Sequence, residues 1–233
     1  MNTHNRVDED ADELVDYDLD EMDRRIAKFE AKATDHERGG GASRETGLVW
    51  TIASAVGMFA SVMLLLAERS YLKNPAGNFL CDVNPLIGCT KWFDAWQGTL
   101  LFDTPNALWG ALFFAGMTGL GLVLLTGGRL HRILWILAFA GISVGMIWVL
   151  WFGYQSYAVE RSICPYCAIV WLAVIPLFVL ILARVLQAGH LGEGATSAGS
   201  ALVRNRWLII GLLYLALVIV TVLVFWNSWA LVF

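Results

Sequence analysis

Residues 164–183 of the chain are CPYCAIVWLAVIPLFVLILA, two cysteines three positions apart at the start of a run without charge. A helix that crosses a bilayer needs about 20 mostly apolar residues. The run has that length, so it predicts a membrane-spanning helix that begins at a Cys-x-x-Cys pair. Pro176 predicts a kink within it, which membrane helices tolerate.

Four other stretches of the chain share this length and lack of charge. They are Gly47–Ala67, Pro105–Thr126, Ile133–Phe152 and Trp207–Phe225. The mean hydropathy is +0.60 and 15% of residues are charged, against roughly a quarter in soluble domains. The sequence therefore predicts an all-α, polytopic membrane protein with five transmembrane helices.

The acidic residues are concentrated at the N-terminus. Residues 1–46 contain 14 Asp and Glu and 7 Lys and Arg, whereas the rest of the chain contains 6 and 9. This predicts a disordered acidic tail over residues 1–43, with a short helix at Leu19–Ala33 and a flexible hinge at Gly39–Gly41. No signal peptide is visible, and no basic cluster with interleaved aromatics indicates nucleic acid binding.

The distribution of Lys and Arg predicts the orientation in the membrane. With the N-terminus in the cytoplasm, 12 basic residues lie inside and 4 outside, as the positive-inside rule favours. The protein is then a multi-pass protein of the cell membrane, the inner membrane where there are two, and all four cysteines lie on its extracytoplasmic side. Disulfides persist there. The Gly-, Ala- and Ser-rich residues 191–206 are predicted to be an inner linker.

The Cys164–Cys167 pair indicates redox chemistry. Free N–H groups and the helix dipole at a helix N-terminus favour a thiolate, the form that exchanges with disulfides or attacks a quinone. Pro165 suits the first turn, where its missing N–H costs nothing. A fixed disulfide and a metal site are the alternatives.

The second pair, Cys81 and Cys89, has seven intervening residues. Asn84-Pro85 and Gly88 indicate turns that bring the two sulfurs together. Alone, this pair is typical of a structural loop disulfide; with a second pair on the same face, a two-step relay is the better interpretation. We predict no metal site, because the spacing is unlike that of zinc ligands and the four histidines lie in the tail or inner segments.

Three motifs, in this order, resemble the vitamin K epoxide reductase family. They are Cys-Asp-Val with a second cysteine at Cys89, Thr-Pro-Asn-Ala-Leu-Trp-Gly at 104–110, and Cys-Pro-Tyr-Cys at 164–167. The resemblance covers roughly residues 47–190. It implies a four-helix catalytic bundle over residues 44–190 around a quinone, with an outer loop at 68–105. Residues 207–233 would add a fifth transmembrane helix.

The resemblance also implies roles for individual residues. Cys167 would face the quinone, Cys164 would exchange with Cys89, and Cys81 would accept electrons from outside. The residues implied to bind the quinone are Asn106, Phe93 and Trp171. An amide at membrane depth is otherwise costly, which favours a polar ligand at Asn106. A helix cap is the alternative for Asn106, and simple packing is the alternative for Trp171.

The function implied by the resemblance is that of a membrane thiol–quinone oxidoreductase that drives disulfide formation, with menaquinone or ubiquinone as the quinone. Many bacterial members carry a fused thioredoxin-like domain; here the chain stops after the fifth span, so the partner is expected to be a separate DsbA-like or thioredoxin-like protein on the outer side. The alternative is a non-catalytic membrane scaffold or transporter subunit with two structural disulfides. The predicted spans contain no ionisable residue, which ion and proton pathways usually need.

Overall fold

The computed structural model describes residues 33–226, except 78, 80 and 85. The predicted helix at Leu19–Ala33 therefore lies outside the described residues except for its last position, as do the last seven residues of the predicted fifth segment. The described residues form seven α-helices: α1 Asp35–Arg38, α2 Arg44–Lys73, α3 Thr90–Phe93, α4 Asn106–Leu125, α5 Arg132–Tyr154, α6 Pro165–Gln187 and α7 Thr196–Val224. Helix α5 continues as a π-helix over Gln155–Val159.

Five helices are long and apolar enough to cross a membrane, namely α2, α4, α5, α6 and α7. This confirms the predicted all-α polytopic membrane fold and its five spans. Two helices continue past the charges that ended the predicted runs, α2 to Lys73 and α6 to Gln187. Glu68 and Arg184 therefore lie on these two helices directly after the predicted apolar runs, which themselves contain no Asp, Glu, Lys or Arg.

The bundle core is built around two buried tryptophans. Trp50 of α2 and Trp135 of α5 meet edge to face with ring centroids 5.5 Å apart. Each indole N–H is satisfied by the backbone: Trp50 Nε1 donates to Met117 O at 2.7 Å, and Trp135 Nε1 donates to Gly40 O at 2.9 Å. Buried indoles need such partners, so these two rings join α2, α4, α5 and the segment before α2.

Helices α2 and α4 pack closely because glycines occupy their contact. A Cβ on Gly47 would lie 2.8 Å from the backbone nitrogen of Leu125, and one on Gly57 would lie 2.6 Å from the Phe114 ring. Small residues at helix contacts let backbones approach in membranes, where water exclusion gives no driving force. The glycines of these apolar runs therefore determine which helix pairs with which.

Helix α7 packs against α6 at the edge of the bundle. Tyr214 Oη donates to Leu172 O at 2.7 Å. A Cβ on Gly199 would lie 2.1 Å from the backbone nitrogen of Gln187. The helix begins at Thr196 rather than Trp207. Most of residues 191–206, interpreted as a linker, therefore form the first part of α7 and include its contact with α6.

The glycine run Gly39–Gly41 is tied to the bundle at the side opposite the cysteines. Gly40 O accepts hydrogen bonds from Leu130 N and Trp135 Nε1, both at 2.9 Å. Gly40 has φ of +90° and is buried, a conformation that glycine adopts without strain. The predicted flexible hinge is wrong, because the carbonyl groups of Gly40 and Gly41 accept hydrogen bonds from distant parts of the bundle.

Arg184 of α6 closes this contact. It is 3% exposed, and its Nε and Nη2 donate to Gly41 O at 3.3 and 3.1 Å. Its Nη1 donates to Gln187 Oε1 and lies 3.9 Å from Glu37 Oε1. A buried guanidinium is stable only with such partners, so Arg184 holds residues 37–41 against the end of α6.

We predict that Arg184→Ala destabilises the bundle by about 2–4 kcal/mol, because two buried acceptors lose their donors. The measurements are the unfolding midpoint in detergent and protease cleavage within residues 34–42, which should become accessible. Arg69→Ala is the control, since Arg69 is exposed and should change stability by less than about 0.5 kcal/mol. Equal midpoints for the two variants would contradict this role.

Candidate active site

The segment between Cys81 and Cys89 is a short loop closed by a disulfide, with the two Cα atoms 5.7 Å apart. Asp82 Oδ1 accepts from Cys89 N at 2.7 Å and from Thr90 N at 3.2 Å. Asn84 Oδ1 accepts hydrogen bonds from Leu86 N and Ile87 N, both at 2.9 Å. The short polar side chains that predicted turns here therefore make the local bonds that hold the loop.

The loop is bonded to the chain just before α6. Gly88 N donates to Ile163 O at 3.1 Å, and Ile163 N donates to Leu86 O at 2.8 Å. These two bonds place the cysteines that follow, Cys89 and Cys164, side by side, with their sulfurs 3.5 Å apart. The structure thus brings together one cysteine of each pair, as the relay interpretation requires.

All three of the sulfurs at this contact are enclosed. Cys89 and Cys164 are buried, and Cys81 is 4% exposed. Trp92 and Phe152 pack against them, with ring centroids 4.7 Å apart. A thiol from outside can reach Cys81 only after the loop moves outward. The sequence could not show this burial, because a loop between two membrane helices is expected to be exposed.

Cys164 precedes the first residue of α6. The Cys167 thiol donates a hydrogen bond to its sulfur and lowers the pKa of Cys164, and the N–H groups of Tyr166 and Cys167 add to this effect, against the opposing effect of burial. This is the thiolate stabilisation that a helix N-terminus provides. Cys164 and Cys167 are free thiols in the structure.

A cavity of about 280 Å³ lies beyond the cysteines, between α2, α3, α4, α5 and α6. Its wall is mostly apolar, and its size is near the lower end of the roughly 300–1,000 Å³ of small-molecule sites. Four of the residues that the sequence analysis selected lie in the wall: Phe93, Asn106, Cys167 and Trp171. Helix α7 contributes none of the residues that line it.

Asn106 is the first residue of α4 and makes no capping bond. Its Nδ2 donates to Gln97 O, while its Oδ1 is buried without a partner among the described residues. The capping alternative does not describe this side chain. Because the amide lies in the cavity wall, its unpaired oxygen is available to a ligand.

The two predicted aromatics have neighbours that orient them. The Phe93 ring lies 5.5 Å from the Tyr71 ring, and the Trp171 ring meets Tyr157 edge to face at 5.8 Å. Trp171 is both packed and in the cavity wall, so its packing is compatible with the ligand interpretation, which stays a prediction. Its position one turn after Cys167 places both on one side of α6.

Among the cavity-wall residues that were not predicted from the sequence, two have polar groups at the site. Trp92 lies beside Phe93, and its buried Nε1 has no acceptor among the described residues. Glu68 of α2 is the wall's carboxyl group. For Trp92, the available signal in the sequence was an indole directly before Phe93. For Glu68, it was the first charged residue after the predicted span Gly47–Ala67.

The comparison with known families agrees with this arrangement. The model of the vitamin K epoxide reductase family matches residues 48–182, a range that runs from α2 into α6 and contains both cysteine pairs. The chain belongs to the vitamin K epoxide reductase family. It is therefore a multi-pass membrane protein with the oxidoreductase chemistry of a family that acts with quinones. Helix α7 lies outside the matched range.

We predict that the variant with both Cys81→Ser and Cys167→Ser forms a Cys89–Cys164 disulfide under mild oxidation, because these sulfurs are already 3.5 Å apart. Mass spectrometry of the peptides should find most of the protein in this cross-link. The control variant with Cys81→Ser and Cys164→Ser keeps Cys89 and Cys167 and should cross-link much less. Equal yields from the two variants would show that the described contact is not specific.

Proposed function

We propose that the protein is a thiol–quinone oxidoreductase of the cell membrane that drives disulfide formation on the outer side. It would take two electrons from a separate DsbA-like or thioredoxin-like partner and pass them to menaquinone or ubiquinone. One observation carries the proposal: Cys164 touches Cys89, while Cys167, one turn further along α6, lies in the cavity wall. The loop pair is therefore linked to the cavity through the contact between Cys89 and Cys164 and the position of Cys167.

The first step would be reduction of the loop disulfide. A thiolate of the partner attacks Cys81, and a second thiol of the partner then releases it, so that the partner leaves with a disulfide. Because Cys81 is buried, the loop must first move outward. Among the described residues, two backbone bonds connect the loop to the segment before α6, so such a movement would break few hydrogen bonds.

The second step would be exchange between the pairs. The Cys89 thiolate attacks Cys164 of a Cys164–Cys167 disulfide, and Cys167 leaves as a thiolate. Cys81 then attacks Cys89, which restores the loop disulfide and leaves Cys164 reduced. The lowered pKa of Cys164 favours it as the leaving thiol of this last exchange. The described state, with a loop disulfide and free Cys164 and Cys167, is the product.

The cavity has the features that a quinone site requires. Its wall is mostly apolar and includes Cys167, Asn106 and Trp92. The Asn106 Oδ1 and Trp92 Nε1 atoms are buried without a partner among the described residues. A quinone, when bound, supplies an acceptor for two electrons and two protons. The Trp92 N–H can donate to a carbonyl oxygen, and Asn106 Oδ1 can accept from a quinol hydroxyl. Phe93 and Trp171 would flank the ring and exclude water.

We expect the purified protein to convert a water-soluble analogue of menaquinone or ubiquinone to its quinol in the presence of a thioredoxin-like dithiol protein, and Cys167→Ala to abolish this activity. The measurement is the absorbance change of the quinone. The alternative, a scaffold or transporter subunit with two structural disulfides, predicts no quinol and cysteines that stay oxidised whatever the quinone content of the membrane. Undiminished turnover in Cys167→Ala would refute the proposed path.

We also expect Trp92→Phe to weaken binding of the quinone analogue about 5- to 10-fold, because one buried hydrogen bond contributes about 1 kcal/mol. Asn106→Ala should have an effect of similar size. The dissociation constant can be measured by quenching of tryptophan fluorescence. Trp96→Phe is the matched control, because Trp96 is exposed and does not line the cavity. Equal affinities of Trp92→Phe and Trp96→Phe would exclude the indole as a ligand.

A further inference from the structure

On the proposed function, two protons must reach the quinone together with two electrons. The cavity wall contains only two titratable side chains among the described residues, Cys167 and Glu68. A thiol supplies electrons and one proton, but it loses its position at the ring once it forms a disulfide. A carboxyl group in the same wall can carry protons and return to its starting state in every turnover.

Glu68 lies where the cavity meets the cysteine cluster. It is one turn after Leu64 on α2, and both residues line the cavity together with Trp92 and Phe93 of α3. Leu64 and Ala67, on the same turn, pack against the buried cluster formed by Trp92, Phe152 and the cysteines Cys81, Cys89 and Cys164. Glu68 is half-buried. Glu68 therefore lies in the cavity wall on the turn of α2 that packs against the cysteine-containing cluster.

No structural partner accounts for this carboxyl group. Within the described part of the chain, Glu68 forms no ion pair and no hydrogen bond. Of the nearby charged groups on α3, Lys91 is paired with Glu160, and Asp94 accepts from Tyr71. An ionisable residue in a membrane helix is costly, and one that faces an interior cavity commonly marks a proton path.

We propose that Glu68 is the proton-transferring residue of the quinone site. Protonated Glu68 donates to a quinone oxygen and regains its proton from the Cys167 thiol. In the complete reaction two S–H bonds of Cys164 and Cys167 break, one S–S bond forms, and two O–H bonds form on the quinone. The dithiol is oxidised by two electrons, the quinone is reduced by two, and Glu68 is unchanged at the end.

The test compares Glu68→Gln with wild type. The amide keeps the size of the side chain but cannot exchange a proton, and general acid–base catalysis contributes about 10²- to 10⁴-fold. We expect quinol formation to slow at least about 100-fold, while the affinity for the quinone analogue stays within about twofold of wild type. When Glu68→Gln is combined with Cys81→Ser and Cys167→Ser, the yield of the Cys89–Cys164 cross-link should not change. Glu68→Asp should recover part of the rate. Glu193→Gln, in an exposed turn away from the cavity, is the control.

A second measurement needs no turnover. A hydrophobic carbodiimide modifies protonated carboxyl groups in apolar surroundings, and peptide mass spectrometry locates the label. We expect labelling of Glu68 in the quinone-free protein, little labelling of Glu193, and protection of Glu68 by the quinone analogue. These results would show that the Glu68 carboxyl group lies at the binding site of the quinone analogue, without relying on the rate of quinol formation.

Several outcomes separate this role from others. Wild-type turnover in Glu68→Gln, or labelling of Glu68 that the quinone analogue does not reduce, would overturn the proton-transfer role while leaving the proposed function standing. A loss of affinity as large as the loss of rate would assign Glu68 to binding and overturn it as well. Absence of quinol formation by wild type itself would overturn the proposed function, and the role of Glu68 with it.

Discussion

Two backbone hydrogen bonds, from Gly88 N to Ile163 O and from Ile163 N to Leu86 O, determine how the cysteine pairs meet. They join the loop to the last residues before α6, so Cys89 and Cys164 share one small buried space. Backbone bonds of this kind are specific in position yet few in number. The same contact brings the sulfurs within reach and, in the proposed function, would release the loop so that Cys81 can meet a partner.

Helix α6 connects two different environments within one turn. Cys164 precedes the helix, where backbone N–H groups favour a thiolate, whereas Cys167 lies in the wall of an apolar cavity. In the proposed function, the dithiol would therefore exchange with the loop through Cys164 and face the quinone with Cys167. The bundle supports this position at the far end of α6, where buried Arg184 binds Gly41 O.

The sequence showed the spans and both cysteine pairs, because long apolar runs and close cysteine spacings are local signals, whereas the four predicted residues of the cavity wall were implied by the resemblance to the vitamin K epoxide reductase family. It did not show Glu68 as part of the cavity, because a span is predicted to end at its first charge, although a helix can continue when that charge faces an interior space. The role of Gly39–Gly41 depends on contacts with Trp135, nearly 100 residues away. The prediction of a linker over residues 191–206 was wrong for most of this range, because small residues are typical both of linkers and of close helix contacts.

Two of the five buried polar side-chain atoms that lack a partner among the described residues belong to residues of the cavity wall. Trp50, Trp135 and Tyr214 each donate to a backbone carbonyl. Trp92 Nε1 and Asn106 Oδ1, in contrast, have no partner in the described part of the chain, and both residues line the same cavity. Each such group costs about 1–3 kcal/mol when buried alone. A ligand with oxygen atoms that both donate and accept, as the quinone and quinol pair provides, would remove both costs at once.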